Sequence, residues 1–99
     1  MKRGPQFRFR LYVAGDASNS TQALANLNSL CRAHLAHRHH IEVVNVFREP
    51  DRALADGIFM TPTLVKVAPA PVQRIVGTLS QRQPLLCALG LEAPEAIAA

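Results

Sequence analysis

Thr61-Pro62-Thr63 stands directly ahead of the apolar run Leu64-Val65-Lys66-Val67, in a chain whose first half reads strand, helix, strand. A proline cannot donate to a β ladder, so Pro62 belongs at a strand start or an edge, never inside a central ladder. The same chain contains no Cys-x-x-Cys.

The elements around that proline follow from periodicity. Phe7, Phe9, Leu11 and Val13 alternate with Arg8, Arg10 and Tyr12, which predicts a strand with one buried face. Gly15-Asp16 turns the chain, and Ser18 or Asn19 is suited to cap a helix in which Leu24, Leu27, Cys31 and Leu35 recur at helical spacing, ending near residues 34–37. Residues 41–47, rich in β-branched side chains, are expected to form a strand covered on both faces and parallel to the first. Their connection should be right-handed. Pro50 and Gly57 bracket a short second helix. Residues 63–67 and 73–77 predict an antiparallel pair, joined by a connection that Pro69 and Pro71 stiffen. Ser80 or Gln83 is expected to cap a last helix with Pro84 in its first turn and Leu85, Leu86, Leu89 and Leu91 as apolar contacts. The order βαβαββα with a proline before the third strand is that of an α/β, thioredoxin-like fold, in which this proline is typically cis. Without the paired thiols, such a scaffold must act through its surface.

Length and composition narrow the function. A chain of 99 residues, 48% apolar and 18% charged, is one globular domain, here expected over residues 7–91 with flexible ends at 1–6 and 92–99. Pro94 and the alanines near the end carry little apolar bulk to hold them. No run is long enough to span a bilayer, and Arg8 and Arg10 interrupt any targeting core after Lys2 and Arg3, so the expectation is a cytoplasmic protein without a membrane role. The net charge of +4 comes from scattered basic residues and only five aromatics accompany them, a poor pattern for nucleic acid. Cys31 and Cys87 lie far apart among apolar residues and read as reduced, buried thiols.

Candidate chemistry is sparse. His34, His37, His39 and His40 crowd the end of the first helix, but no further ligand accompanies them except Glu42 on the next strand, so they read as a polar helix end complementing the macrodipole. Thr61 and Thr63 have no neighbouring base and shape the backbone. Gly15 lacks the companions of a phosphate loop. Tyr12 reads as an amphipathic strand residue whose hydroxyl is free to seek a partner. No catalytic residue, metal or cofactor is expected.

Three segments in order, LYVAGDASNS at 11–20, TPTLVKV at 61–67 and PAPVQRIVGTLS at 69–80, resemble the KaiB family of circadian clock proteins over about residues 7–91. The resemblance implies a non-enzymatic regulator that binds the KaiC-like ring ATPase, modulates its phosphorylation state and competes with a sensor histidine kinase carrying a related domain. It also implies homo-oligomers, dimer or tetramer, and an alternative tetramer fold in which the C-terminal half is rearranged, with Pro62 at the boundary between the constant and rearranging halves. Where the family has a segment like IGLDL, this chain has Cys87-Ala88-Leu89-Gly90-Leu91. Alanine at 88 favours a helix over glycine by roughly 1 kcal/mol, Gly90 returns part of that if helical, and the sum biases the chain toward the thioredoxin-like form. Basic family positions are Gln22, Gly57 and Gln73 here, while Lys66 and Arg74 remain as expected contacts to an acidic face of the ring. The acidic tail of cyanobacterial members is missing, so a reduced clock, an hourglass timer or a stress pathway stands beside a true oscillator. Two other classes remain at this stage: a stress-linked interaction module independent of KaiC, and a thioredoxin-like redox protein.

Overall fold

The structure is a computed structural model and describes residues 6–91; the expected flexible ends lie outside these except for Gln6. The elements are β1 (Phe7–Val13), α1 (Ser18–His34), β2 (His39–Asn45), α2 (Pro50–Ala55), β3 (Thr63–Ala68), β4 (Gln73–Val76) and α3 (Arg82–Ala88). The sheet order is β2-β1-β3-β4, with β1 parallel to β2 and antiparallel to β3, and β3 antiparallel to β4. The Thr61–Pro62 bond is cis, and Pro62 stands just outside the first residue of β3.

Alternation along β1 divides two cores. Phe7, Phe9, Leu11 and Val13 face α1 and α3 and pack with Leu27, Leu30, Cys31, Leu64, Leu85, Leu86 and Leu89. Tyr12 points to the other side, where Val44, Val65, Ala53 of α2 and Ile58 form a smaller cluster. The larger cluster carries most of the apolar burial, and truncating Leu27 within it would cost about 2–5 kcal/mol.

Three local expectations need correction. β2 lies two residues earlier than expected, because its parallel register sets Phe7 opposite His39 and Val13 opposite Asn45. The Asn45 side chain then ends the strand by accepting the amides of Gly15 and Phe47. β2 is also an edge strand, so it is covered on one side chiefly at Val44 while Val43 is exposed. Helix capping differs too. Ala17 precedes α1 and Gln81 precedes α3, neither with a side-chain cap, while the Ser20 hydroxyl within the first turn of α1 accepts the Ala14 amide across the β1–α1 turn.

Gly90 marks the third correction. It lies beyond α3 at φ 75°, with its amide donating to the Cys87 carbonyl and the Leu91 amide donating to the Leu86 carbonyl. These two bonds are the paired closures of a Schellman helix end, and Leu91 packs back on the core as that arrangement favours. Glycine at 90 therefore supports α3 instead of weakening it.

Candidate functional site

The face of the sheet that carries α2 is where this chain places its charge. Arg10 and Glu42 are register partners on β1 and β2, and Arg10 Nε donates to Glu42 Oε1 at 3.1 Å. The same guanidinium donates through Nη1 to Asp56 Oδ2 at 3.0 Å. Tyr12, fully buried, donates its hydroxyl to that Asp56 oxygen, and Arg52 Nη1 closes the group on Glu42 Oε2 at 2.7 Å and Glu49 Oε1 at 3.4 Å. α2 is thereby tied to both β1 and β2 by side chains, in addition to Ala53 in the core.

These bonds shift the acids in one direction. The Arg52 guanidinium, then that of Arg10, holds the Glu42 carboxyl down at about 2. The Tyr12 hydrogen bond, then Arg10, holds Asp56 below its ordinary value. Burial, reinforced by Asp56, pushes the Tyr12 phenol up. For acids depressed in the folded state, the stabilisation is full above the unfolded value, 4.5 for Glu42, and is lost as pH falls toward about 2. Acid titration of the denaturant midpoint should fall across that window, and Glu42→Gln should flatten the fall. An unchanged slope in the variant would remove Glu42 from this role.

Beside the network the same face is apolar and open. Phe47 is 73% exposed, Phe59 88% and Met60 63%. Phe59 and Met60 divide two grooves: one of about 200 Å³ reaches Ala14, Val46, Phe47 and Thr61, and one of about 140 Å³ reaches Gly57, Thr63, Val76 and Arg74. Of three arginines on this face, Arg10 and Arg52 are consumed in the network. Arg74 is exposed and makes no ion pair among the described residues, but it lies near enough to Asp56 to help hold that carboxyl down.

Lys66 and Arg74, named from the sequence as a joint contact, do not share a face. Arg74 is the register partner of Val65 on the α2 side, with its Nη1 3.4 Å from where a Gly57 side chain would begin. Lys66 alternates to the α1/α3 side, is only 4% exposed, and sets its amine 5.8 Å from the centroid of the Phe7 ring. The reading of Lys66 as exposed strand charge is corrected: β3 is an interior strand, and its stem packs where Leu64 packs. Tyr12 likewise spends its hydroxyl inside the fold. Sequence reasoning missed Phe47, Phe59 and Met60, although two large apolar residues in a short connection with no periodic partner are a readable sign.

The remaining candidates are dispersed. His34, His37 and His40 are exposed, and His39 Nδ1 donates to the Leu35 carbonyl at 2.8 Å. Among the described residues no three His, Cys, Asp or Glu side chains gather as metal ligands. Burial pushes the Cys31 thiol up to about 11, which leaves it protonated and a poor nucleophile at neutral pH. Cys87 is half-buried instead of enclosed. No helix of the described residues is long and apolar enough to cross a membrane.

A four-stranded mixed sheet in the order 2-1-3-4, helices on both faces, a cis proline at the start of β3 and no thiol pair define a thioredoxin-like domain whose open face suits recognition. Solved structures agree on the fold. The N-terminal domain of Synechococcus elongatus SasA superposes with a TM-score of 0.71 at 19% identity, covering 95% of this chain and 92% of that one. Chloroplastic thioredoxin z gives 0.71 at 20% identity, covering 92% and 82%. Within that class, the KaiB domain model matches residues 10–91, and the chain belongs to the KaiB family. It is 40% identical over 83 residues to the circadian clock protein KaiB3 of Synechocystis, covering 84% of this chain and 79% of that protein. It is 43% identical over 82 residues to the circadian clock oscillator protein KaiB of Thermosynechococcus vestitus, covering 83% and 76%.

Proposed function

We propose that this chain is a non-enzymatic timing regulator that binds a KaiC-like ATPase ring, modulates its phosphorylation state and competes for it with a histidine kinase. The observation that carries this reading is the family match over nearly the whole described domain, to relatives named as clock proteins. The likeness of fold to the SasA domain is compatible with two proteins meeting one surface. The contact is assigned to the α2 face, with Arg74 retained from the sequence reading and Phe47, Phe59 and Met60 added to it. The protein is taken to act in the cytoplasm, as one domain over residues 7–91. An oligomer with a rearranged C-terminal half is part of the same proposal.

Capture on a purified KaiC-like ring tests it directly. The wild-type chain should be retained, and Arg74→Glu should weaken retention by about tenfold with an unchanged fold, as loss of a steering charge at an interface does. No retention by any KaiC-like ring from the same genome would overturn the reading in favour of a module independent of KaiC.

A further inference from the structure

One end of the sheet collects basic groups that neither the core nor the α2 network uses. The parallel register sets Arg8 beside His40 where β1 and β2 begin, both exposed and both on the α2 side. α1 ends at the same level with Arg32 and His34 in its last turn, and His37 and Arg38 follow in the connection to β2. That connection is fixed in place: the Arg38 carbonyl accepts the Phe7 amide at 2.7 Å, and the Arg38 amide donates to the Leu35 carbonyl at 2.9 Å. The carbonyls of the helix end are already met, by His39 Nδ1 on Leu35 at 2.8 Å and by Arg38 Nη2 on His34 at 3.4 Å. The exposed imidazoles of His34, His37 and His40 are left over from that role. Among the described residues no acid stands free at this end. Glu42, Glu49 and Asp56 are held by Arg10 and Arg52, Asp16 follows the far end of β1, and Asp51 lies in the first turn of α2, beyond the far end of β2.

We propose that this end binds a phosphate chain without bases, of the inorganic polyphosphate class. Arg8, Arg32 and Arg38 supply guanidinium groups for successive phosphates, and the three imidazoles add donors between them. The aromatic residues decide against a nucleic acid. Phe7, Phe9 and Tyr12 are buried, and Phe47 and Phe59 lie beyond the opposite end of the sheet, so no ring is offered here for bases to stack on. A lipid surface is disfavoured because the large exposed apolar residues at this end amount, among the described residues, to Val72. Histidine gains charge as pH falls from about 8 to about 5.5, so the end becomes more cationic over that range. The charged groups around the three imidazoles are Arg8 opposite His40, Arg32 and Arg38 beside His34 and His37, and Lys66 of β3 with its amine over the Phe7 ring. Glu42, two positions along β2 from His40, is already bonded to Arg10 and Arg52. This end is separate from the α2 face, and the inference stands whichever protein that face meets.

The test is an NMR titration of the isotope-labelled full chain with inorganic polyphosphate at about pH 6 and about 50 mM salt, beside oligothymidylate of matched charge and vesicles of anionic phospholipid. Polyphosphate should shift the amides of residues 8 and 32–40 saturably, and bind at least about tenfold tighter than oligothymidylate. Raising the salt to about 200 mM should weaken binding about twentyfold, the loss for about three phosphates at ~0.7 counterions each. Raising the pH to about 8 should weaken it about tenfold, and His34→Gln/His37→Asn/His40→Gln should remove that dependence. Arg8→Gln should weaken binding about fivefold. Arg48→Gln, the same charge change on an exposed residue beyond the far end of β2, should leave it within about twofold. Equal loss in these two variants would reduce the effect to net charge and overturn the proposal. So would oligothymidylate binding as tightly as polyphosphate, vesicles binding where polyphosphate does not, shifts centred elsewhere, or no saturable shift.

Discussion

Replacing Ala88 by glycine and Gly90 by aspartate together should destabilise the thioredoxin-like form by about 2 kcal/mol, roughly a 30-fold change in its weight against any competing state. Ala88 is the last helical residue of α3, where glycine costs up to about 1 kcal/mol relative to alanine. Gly90 holds φ 75°, which an aspartate adopts only at a cost of about 1 kcal/mol, and its carboxylate would face the negative end of the helix dipole. Space is not the obstacle, since a Cβ at 90 meets nothing within 4 Å. Gly90→Asn should therefore be milder than Gly90→Asp, because asparagine tolerates the left-handed conformation and carries no charge. Chemical denaturation of the three variants checks the ranking. Should the double variant match the wild type within about 0.5 kcal/mol, the helix end does not set the balance. Because the two substitutions restore residues usual in the KaiB family, a second set of NMR resonances from residues 58–91 is the expected sign of the rearranged form proposed above.

What could be read from the chain and what could not separates along sequence distance. β1, α1 and α2 were legible because each is written in a local pattern: alternation from Phe7 to Val13, helical spacing through Leu27 and Cys31, and the proline and glycine that bracket residues 50–57. The bounds of β2 were not, because its register is imposed by β1 some thirty residues earlier and its end by the Asn45 side chain. Tyr12 looked free for a partner; its acceptor, Asp56, is 44 positions away and becomes visible only when α2 folds back over the sheet. The Arg10–Glu42 pair was within reach of a register argument, since both lie on strands expected to be parallel neighbours. For the candidate site, Arg74 was readable as charge and Phe59 and Met60 as large apolar residues without a periodic partner, but that they and Phe47 share one open face was not. They belong to connections, where periodicity is silent, and their exposure depends on the path of the loops at one end of the sheet.

Lys66→Glu is expected to be the most damaging single substitution among the residues considered for partner contact, and damaging to the fold before any contact is at stake. From sequence, Lys66 stood beside Arg74 as an expected contact to an acidic partner face. Its packing argues otherwise. With 4% of its surface exposed and its amine over the Phe7 ring, Lys66 is surrounded by the α1/α3 face of the sheet, and among the described residues no carboxylate pairs with it. A lysine can occupy such a place because its long stem buries apolar surface while the ammonium is drawn to the ring face. Glutamate has a shorter stem, and the same ring face repels its charge. The cost should reach about 3 kcal/mol, the range for a buried charge left without a partner, and be read as a lower denaturation midpoint. Lys66→Met, which keeps the stem and removes the charge, should cost less than about 1.5 kcal/mol. The pair discriminates: equal loss in both would locate the effect in shape alone, while no loss in Lys66→Glu would show the side chain free to turn outward. Arg74→Glu, exposed on the opposite face, should leave stability within about 0.5 kcal/mol of wild type, which makes it the substitution that reports on the partner without unfolding the protein.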